Sequence, residues 1–237
     1  MSMGAIRAYG ADSDRRFYTG MAIAIAITVF AGFSPTFYLK SYFGTPPLDP
    51  LIIVHGLAFT AWIGLFVTQA VLIAAKRTDI HRKLGYLGAA LAAGMVILGV
   101  GAATWAIRVG HTPPGIDPRS FLVLPFFDIT LFAGLVATAV AMRRRTETHK
   151  RLMLLATIAI IDAAIARLPG VLALGVPVAF GLQDLFLVAC AVYDFARRRR
   201  VHPAYLWGGL AILLSQPLRL VVSQTPLWLA FGDWLKG

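Results

Sequence analysis

The amino-acid sequence predicts an all-α protein, a polytopic membrane helix bundle of seven transmembrane helices. Of the 237 residues, 58% are hydrophobic and only 14% are charged, and the mean hydropathy is +0.74. Soluble domains carry about 25% charged residues. The composition therefore excludes a soluble enzyme, a disordered chain and a nucleic-acid-binding domain. It predicts that lipid is the main solvent, although the net charge is +11.

Four long apolar runs predict the first four spans. A helix that crosses the hydrocarbon core needs about 20 apolar residues, because no backbone polar group can stay unpaired there. These four runs reach that length and contain almost no ionisable residue. They are 17–39, 50–75, 84–107 and 120–142.

The rest of the apolar sequence predicts three more spans. Proline and glycine residues at 168–170 and 175–177 divide the stretch after residue 151 into a fifth and a sixth span. Pro203 occupies a first-turn position and begins a seventh, which ends near Val222. Three regions follow, a cytoplasmic N-terminal segment, a seven-helix transmembrane domain and an outer interfacial tail. Their limits are 1–16, 17–224 and 225–237.

The distribution of lysine and arginine predicts the orientation of the bundle. These residues accumulate in the short cytoplasmic loops of membrane proteins. Sixteen of the 22 fall on one side if the N-terminus is inside, and only four fall on the other. The sequence therefore predicts an inner N-terminus and an outer C-terminus. The segments that carry the sixteen are 1–16, 76–83, 143–151 and 197–200, and the outer loops 45–50 and 112–115 are short and rich in proline.

Two of the basic loops repeat one another. Residues 77–84 read RTDIHRKL, and residues 145–152 read RTETHKRL, 68 positions later. A third loop, 200–203, keeps a basic residue and a histidine before a helix. The pattern predicts three helical hairpins, made of spans 2–3, 4–5 and 6–7, each of which turns inside the cell. Repeats of this kind often place a site at the interface between units.

The repeat brings three histidines to one depth, near the inner membrane surface. We expect the threonine three residues before each of the first two to act as an N-cap, so that the imidazole lies in the first helical turn. A helix N-terminus and flanking cations favour neutral imidazole, the form that binds a metal or haem iron. The alternative is that the histidines are interfacial residues in loops made basic by topology. The three are His81, His149 and His202.

Six ionisable residues lie inside the predicted spans, all in their outer halves. Charged groups in hydrocarbon are costly and normally face a partner, a cavity or a pathway. Two interpretations stay open. The groups form a structural ion-pair network that joins the hairpins, or they form a proton, quinone or divalent-metal site. The six residues are His55, Asp128, Asp162, Arg167, Asp184 and Arg219.

Several segments carry a resemblance to known proteins. The stretches VHGLAFTAW around His55, HRKLG from His81, HKRLM from His149 and HPAYLWGG from His202 are similar to a group of uncharacterised bacterial multi-span membrane proteins. This resemblance covers most of the chain and implies a multi-pass protein of the bacterial cytoplasmic (inner) membrane. The HRKLG segment also resembles haem-binding membrane proteins with histidines at helix ends, although their regular paired histidines within opposing spans are missing here.

Three functions follow from these observations as hypotheses. The first is an electron-transfer protein that carries haem b or handles quinone, with His81 and His149 as the iron ligands and the outer polar residues as a proton or quinone site. Its partners would be the bilayer, quinone or another membrane redox protein. The second is a small-molecule or proton-coupled transporter. The third is a non-catalytic subunit or assembly factor of a membrane complex. The sequence assigns no catalytic residue and leaves enzymatic activity open.

Overall fold

The structure is a computed structural model that describes residues 3–113 and 115–237, with side chains from Asp12 onward. Met1 and Ser2 of the predicted N-terminal segment and Pro114 of the predicted second outer loop lie outside the described residues. Every regular element in the described part of the chain is helical. The α-helices are α1 (Met3–Phe33), α2 (Pro50–Ala74), α3 (Thr78–Val109), α4 (Pro118–Phe121), α5 (Val123–Ala141), α6 (Thr146–Ile158), α7 (Asp162–Ile165), α8 (Val176–Arg198), α9 (Pro203–Val222) and α10 (Pro226–Lys236).

The predicted membrane bundle is confirmed in its main features. Six helices of the described chain are long and apolar enough to cross a membrane. They are α1 with its π-helical extension Ser34–Tyr38, α2, α3, the α4–α5 pair, α8 and α9. The predicted boundary after residue 16 does not interrupt α1, which is helical from Met3. The direction of the bundle across the membrane and the kinship of the hairpins stay predictions.

The fifth predicted span differs most from expectation, because it is a broken helix. α6 ends at Ile158 and α7 begins at Asp162, so residues 159–161 leave the helix in the middle of the span. Pro169 and Gly170, where the sequence predicts the boundary between the fifth and sixth spans, lie beyond α7. The break frees backbone polar groups, and Gln183 satisfies one of them by donating from its Nε2 to the Ile158 carbonyl over 2.8 Å. Broken helices exist at membrane depth only where protein surrounds them.

Burial explains why this broken helix lies at the centre. The side chains of Leu154, Ile158, Ile161 and Ala164 are all fully inaccessible. α1, α5, α8 and α9 pack around α6 and α7, whereas α2 and α3 form a hairpin outside α1 and α5. α1 approaches so closely that a Cβ on Gly32 would overlap the Ala164 carbonyl. Fully buried apolar side chains therefore surround the break between α6 and α7.

The two repeated loops end in similar backbone conformations, although their caps differ from the prediction. Arg77 and Arg145, not the following threonines, occupy the N-cap positions of α3 and α6. Their φ and ψ angles are −89° and 59° in one loop and −95° and 81° in the other. Neither cap uses a side-chain hydrogen bond. His81 and His149 nevertheless lie in the first helical turn, as the sequence predicts.

The C-terminal tail forms an ordered amphipathic helix. α10 packs against α3 and α4. The Nε1 of Trp228 donates to the Arg119 carbonyl over 2.9 Å, and the Arg119 guanidinium lies 3.2 Å from the Asp233 carboxylate. These contacts attach the tail to the end of the bundle at which α4 begins.

Candidate functional site

The first polar site is a histidine pair at the end of the bundle where the repeated loops turn. The ring centroids of His81 and His149 lie 6.5 Å apart, and the ring planes are at 81° to each other. The Nδ1 of His149 is 2.8 Å from the Ala139 carbonyl oxygen, which accepts only, so Nδ1 carries the proton. This tautomer leaves Nε2 with a lone pair, as in metal-ligating histidines.

Near His81, two buried polar atoms have no hydrogen-bond partner, and there is room for a side chain at Gly85. Its Nδ1 is buried and has no hydrogen-bond partner. Gln69 donates from Nε2 to the His81 carbonyl over 3.2 Å, while the Oε1 of Gln69 is also buried without a partner. Gly85 lies one turn after His81, and a Cβ placed there would meet only the Gln69 amide nitrogen, at 3.9 Å. The surface of α3 is therefore not closely packed at Gly85, one turn after His81.

The third predicted ligand, His202, has a different role. It is the N-cap of α9, and its Nδ1 accepts a hydrogen bond from the Ala204 backbone N–H over 3.1 Å. Burial and the nearby Arg151 guanidinium hold the pKa of His202 below its usual value, which keeps Nδ1 free to accept. Within the described ranges, no three histidine, cysteine or acidic side chains are grouped closely enough to hold a metal ion. The structure therefore brings together two of the three histidines.

A charged network that the sequence analysis missed lies at the same end. Arg151 is 0% exposed, and its Nε and Nη2 donate to the two carboxylate oxygens of Asp194 over 2.9 and 2.5 Å. Its Nη1 donates to Glu147 over 2.8 Å. Asp14 of α1 joins the network through Lys150, at 2.6 Å. The network ties α1, α6 and α8 together, and the only hint in the sequence was an acid near the inner end of span six.

The second polar site is built on Arg219 of α9, which is also 0% exposed. Its Nη1 forms an ion pair with Asp128 of α5 at 2.5 Å. The same atom donates a hydrogen bond to Asp162 over 3.1 Å. Asp162 is the first residue of α7, directly after the break. One guanidinium nitrogen thus holds two carboxylates from two elements at the level where the central helix is interrupted.

Asp184 joins this outer site through glutamines. The Nε2 of Gln216 donates to Asp184 over 2.8 Å and approaches the Gln183 Oε1 at 3.4 Å. Gln183 bonds the Ile158 carbonyl at the break, so α8 and α9 are both connected to it. The sequence analysis did not consider Gln183, because an uncharged amide in an apolar helix gives little signal. We call Asp128, Asp162, Asp184, Arg219 and the two glutamines the outer cluster.

The remaining two residues of the predicted outer set lie apart from it. His55 on α2 stacks on Phe59, with the ring centroids 4.2 Å apart. Arg167 is exposed beyond α7 and lies over the Phe33 ring at 4.7 Å. Among the described residues, neither forms an ion pair with a member of the outer cluster. Both are on the side of α1 and α2, away from α9.

Only one of the three guanidinium nitrogens of Arg219 has a partner. Its Nη1 holds both carboxylates, whereas Nε and Nη2 are buried without a hydrogen-bond partner. The rings of Phe127 and Phe180 lie 5.7 and 5.4 Å from the guanidinium carbon. At Arg151 the same Nε–Nη2 edge is filled by a carboxylate. The two buried arginines therefore differ in the occupation of one edge.

Comparison with known proteins assigns neither site. No protein-family model, curated protein or solved structure matches the chain. The function is therefore inferred from the residues of the histidine pair and of the outer cluster.

Proposed function

We propose that the protein transfers electrons in the membrane and that His81 and His149 bind haem b from opposite faces. The observation that carries this proposal is the separation of the two rings, 6.5 Å between centroids. Two imidazoles on opposite sides of one metal, with metal–nitrogen distances of about 2.0–2.1 Å, have centroids roughly 6.3 Å apart. The pair therefore has the spacing of two axial ligands.

The number of ligands favours haem over a bare ion. A zinc ion takes at least three protein ligands, and the described residues offer no group of three. A haem would need only two ligands from the protein, and His81 and His149 would supply them. Because Nδ1 of His149 carries the proton, its Nε2 has the lone pair that would bind the metal. The His81 ring has a buried nitrogen, Nδ1, without a hydrogen-bond partner.

Two features near the pair support the proposal of a porphyrin. Gly85 leaves the side of α3 next to His81 open. The loops that carry the histidines also supply exposed cations, among them Arg82 and Lys83, for the two carboxylates of the macrocycle. When bound, haem supplies one-electron redox chemistry. Since His81 and His149 would both hold the haem, the expected activity is electron transfer and not chemistry on a substrate at the iron.

The test is an absorption spectrum of the protein purified from a haem-sufficient bacterial host. We expect a Soret band that shifts on addition of dithionite. The band should be lost in His81→Ala and in His149→Ala, because each removes an axial ligand. His111→Ala, in an exposed outer loop, and His202→Asn, which keeps an N-cap, are the matched controls and should retain it. A colourless folded protein would refute the proposal, as would full haem content in both ligand variants.

A second candidate, proton-coupled transport, is favoured by the broken helix. Transporters commonly bind substrates and ions where a membrane helix is interrupted, near the bilayer midplane. Here the interruption meets Asp162, Arg219 and Asp128. Transport predicts pH-dependent solute flux into proteoliposomes that is lost in Asp128→Asn and in Asp162→Asn but kept in Arg167→Gln, which lies outside the outer cluster. Equal flux in all three variants and the parent would exclude this function for the cluster.

A further inference from the structure

The Nε–Nη2 edge of the Arg219 guanidinium, which has no hydrogen-bond partner, has the properties of a ligand-binding group. Two donors, Nε and Nη2, are buried without a hydrogen-bond partner, although the residue is 0% exposed. A buried donor without an acceptor destabilises the folded state, and a charged donor does so more. The Nε–H and Nη2–H bonds of a guanidinium point in the same direction and accept one planar group with two oxygens. The edge therefore lacks an acceptor of that shape.

The inner arginine shows which group fits. At Arg151 the same two nitrogens hold both oxygens of the Asp194 carboxylate, at 2.9 and 2.5 Å. We propose that the Nε–Nη2 edge of Arg219 binds the carboxylate of an aliphatic monocarboxylate that enters from outside the chain. The binding does not depend on haem, because His149 lies in the first turn of α6, whereas Arg219 meets Asp162 beyond the other end of that helix.

Charge balance in the cluster requires that one proton be taken up when this ligand binds. Asp128 from α5 and Asp162 after the break both contact the Arg219 Nη1. Two carboxylates against one guanidinium leave one excess negative charge, which one proton neutralises. A bound carboxylate adds another negative charge in a medium of low dielectric constant, so it enters with one further proton. Two further charged groups act on this cluster, since Asp184 of α8 accepts a hydrogen bond from Gln216 and the Arg167 guanidinium interacts electrostatically with Asp162.

The aliphatic body of the ligand would lie in an apolar groove that is separated from Arg219 by the Phe127 ring. A groove of about 370 Å³ lies between α5, α9 and α10. Phe127 lines it and also lies 5.7 Å from the Arg219 guanidinium carbon. The other apolar walls come from side chains that in part face the lipid. They are Phe126, Leu131, Leu214, Leu218 and Trp228.

The experiment measures the binding of hexanoate to the full chain in lipid nanodiscs by calorimetry, in two buffers of different ionisation enthalpy. We expect saturable binding with the uptake of one proton per hexanoate. Hexanamide and hexylammonium should not bind, because they lack the second oxygen or the negative charge. Arg219→Lys keeps the charge without the paired donors and should weaken binding roughly tenfold or more. Arg167→Lys is the matched control and should bind as the parent does.

A second variant keeps the test decisive if Arg219→Lys does not fold. Leu214→Trp fills the groove from the lipid side and should weaken hexanoate more than acetate. Absence of hexanoate binding to the folded parent would overturn the proposal, and so would equal binding of hexanamide. Unchanged affinity in folded Arg219→Lys or in Leu214→Trp would overturn it too. His81→Ala and His149→Ala should bind hexanoate normally, so failure of the haem proposal leaves this result unaffected.

Discussion

The buried pair of Arg151 and Asp194 allows a quantitative test of the fold. Both side chains are fully inaccessible, and the carboxylate receives two hydrogen bonds from the guanidinium. Asp194 also accepts the backbone N–H of His202 over 3.0 Å, which fixes the turn between α8 and α9. The perturbation is Asp194→Leu, alone and together with Arg151→Met, compared with Arg151→Met alone.

The expected changes in the free energy of unfolding follow from the groups that each variant leaves without a partner. Asp194→Leu leaves a buried guanidinium without its carboxylate, which costs about 3–5 kcal/mol. The His202 N–H also loses its acceptor, at about 1 kcal/mol. Glu147 still contacts the Arg151 Nη1 and limits the loss. The double variant removes both charges, so it should be more stable than Asp194→Leu by about 2 kcal/mol or more.

The assay is reversible unfolding of the protein in mixed detergent micelles, with the parent and the three variants arranged as a double-mutant cycle. The exposed pair of Arg77 and Asp79, with side chains 58% and 63% accessible, is the control and should show no measurable coupling. If Asp194→Leu and the double variant were equally stable, removing the Arg151 guanidinium would give no relief once the Asp194 carboxylate is gone. The argument from an uncompensated buried charge would then be wrong.

Two further predictions concern packing and pH. Gly32→Ala should destabilise the protein by about 1–3 kcal/mol, because its Cβ meets the immobile Ala164 carbonyl. Gly20→Ala on the same helix, where no atom lies within 4 Å, should be neutral or stabilising in the same unfolding assay. Burial lowers the folded-state pKa of His202 below 6.5, so its contribution to stability is complete above pH 6.5 and is lost as the pH falls below it. A pH series of unfolding midpoints should therefore be flatter in His202→Asn, and an unchanged pH slope would argue against this assignment.

The sequence predicts the helices well and the break in the fifth span poorly. Long apolar runs with few charges are sufficient to locate helices that must satisfy their own backbone in lipid. Residues 159–161 are Ala-Ile-Ile, which contain no helix breaker. The break there depends on partners far away in sequence, because Gln183 takes up the Ile158 carbonyl. The glycine at 170, which has a positive φ of 80°, instead marks the turn beyond the span.

The histidines show how far a sequence repeat predicts a site. His81 and His149 are each the fourth residue of a helix, and the equivalent loops bring them together. His202 directly precedes Pro203, which begins α9, so it has the extended backbone of an N-cap, with φ −67° and ψ 139°. The four-residue difference in position relative to the helix start follows from the proline directly after His202. It is the reason that the third repeat contributes a cap and not a member of the pair.

The outer residues show what depth alone leaves undetermined. Counting residues places His55, Asp128 and Arg219 at similar depths, but it does not say which helices are neighbours. α9 packs against α5 and α6, so Arg219 meets Asp128 and Asp162, while His55 lies on α2 behind α1. The helix packing order, which is a tertiary property, therefore decides the membership of the outer cluster.

One physical rule separates the roles of the two buried arginines. A guanidinium in a medium of low dielectric constant is costly unless its donors are satisfied, and a chain that uses it only for stability satisfies them internally. Arg151 meets this condition through Asp194 and Glu147. Arg219 does not, since Nε and Nη2 have no partner. Stability alone would favour a third internal acceptor for the Arg219 guanidinium. The unpaired Nε and Nη2 are therefore explained by an acceptor that comes from outside the chain.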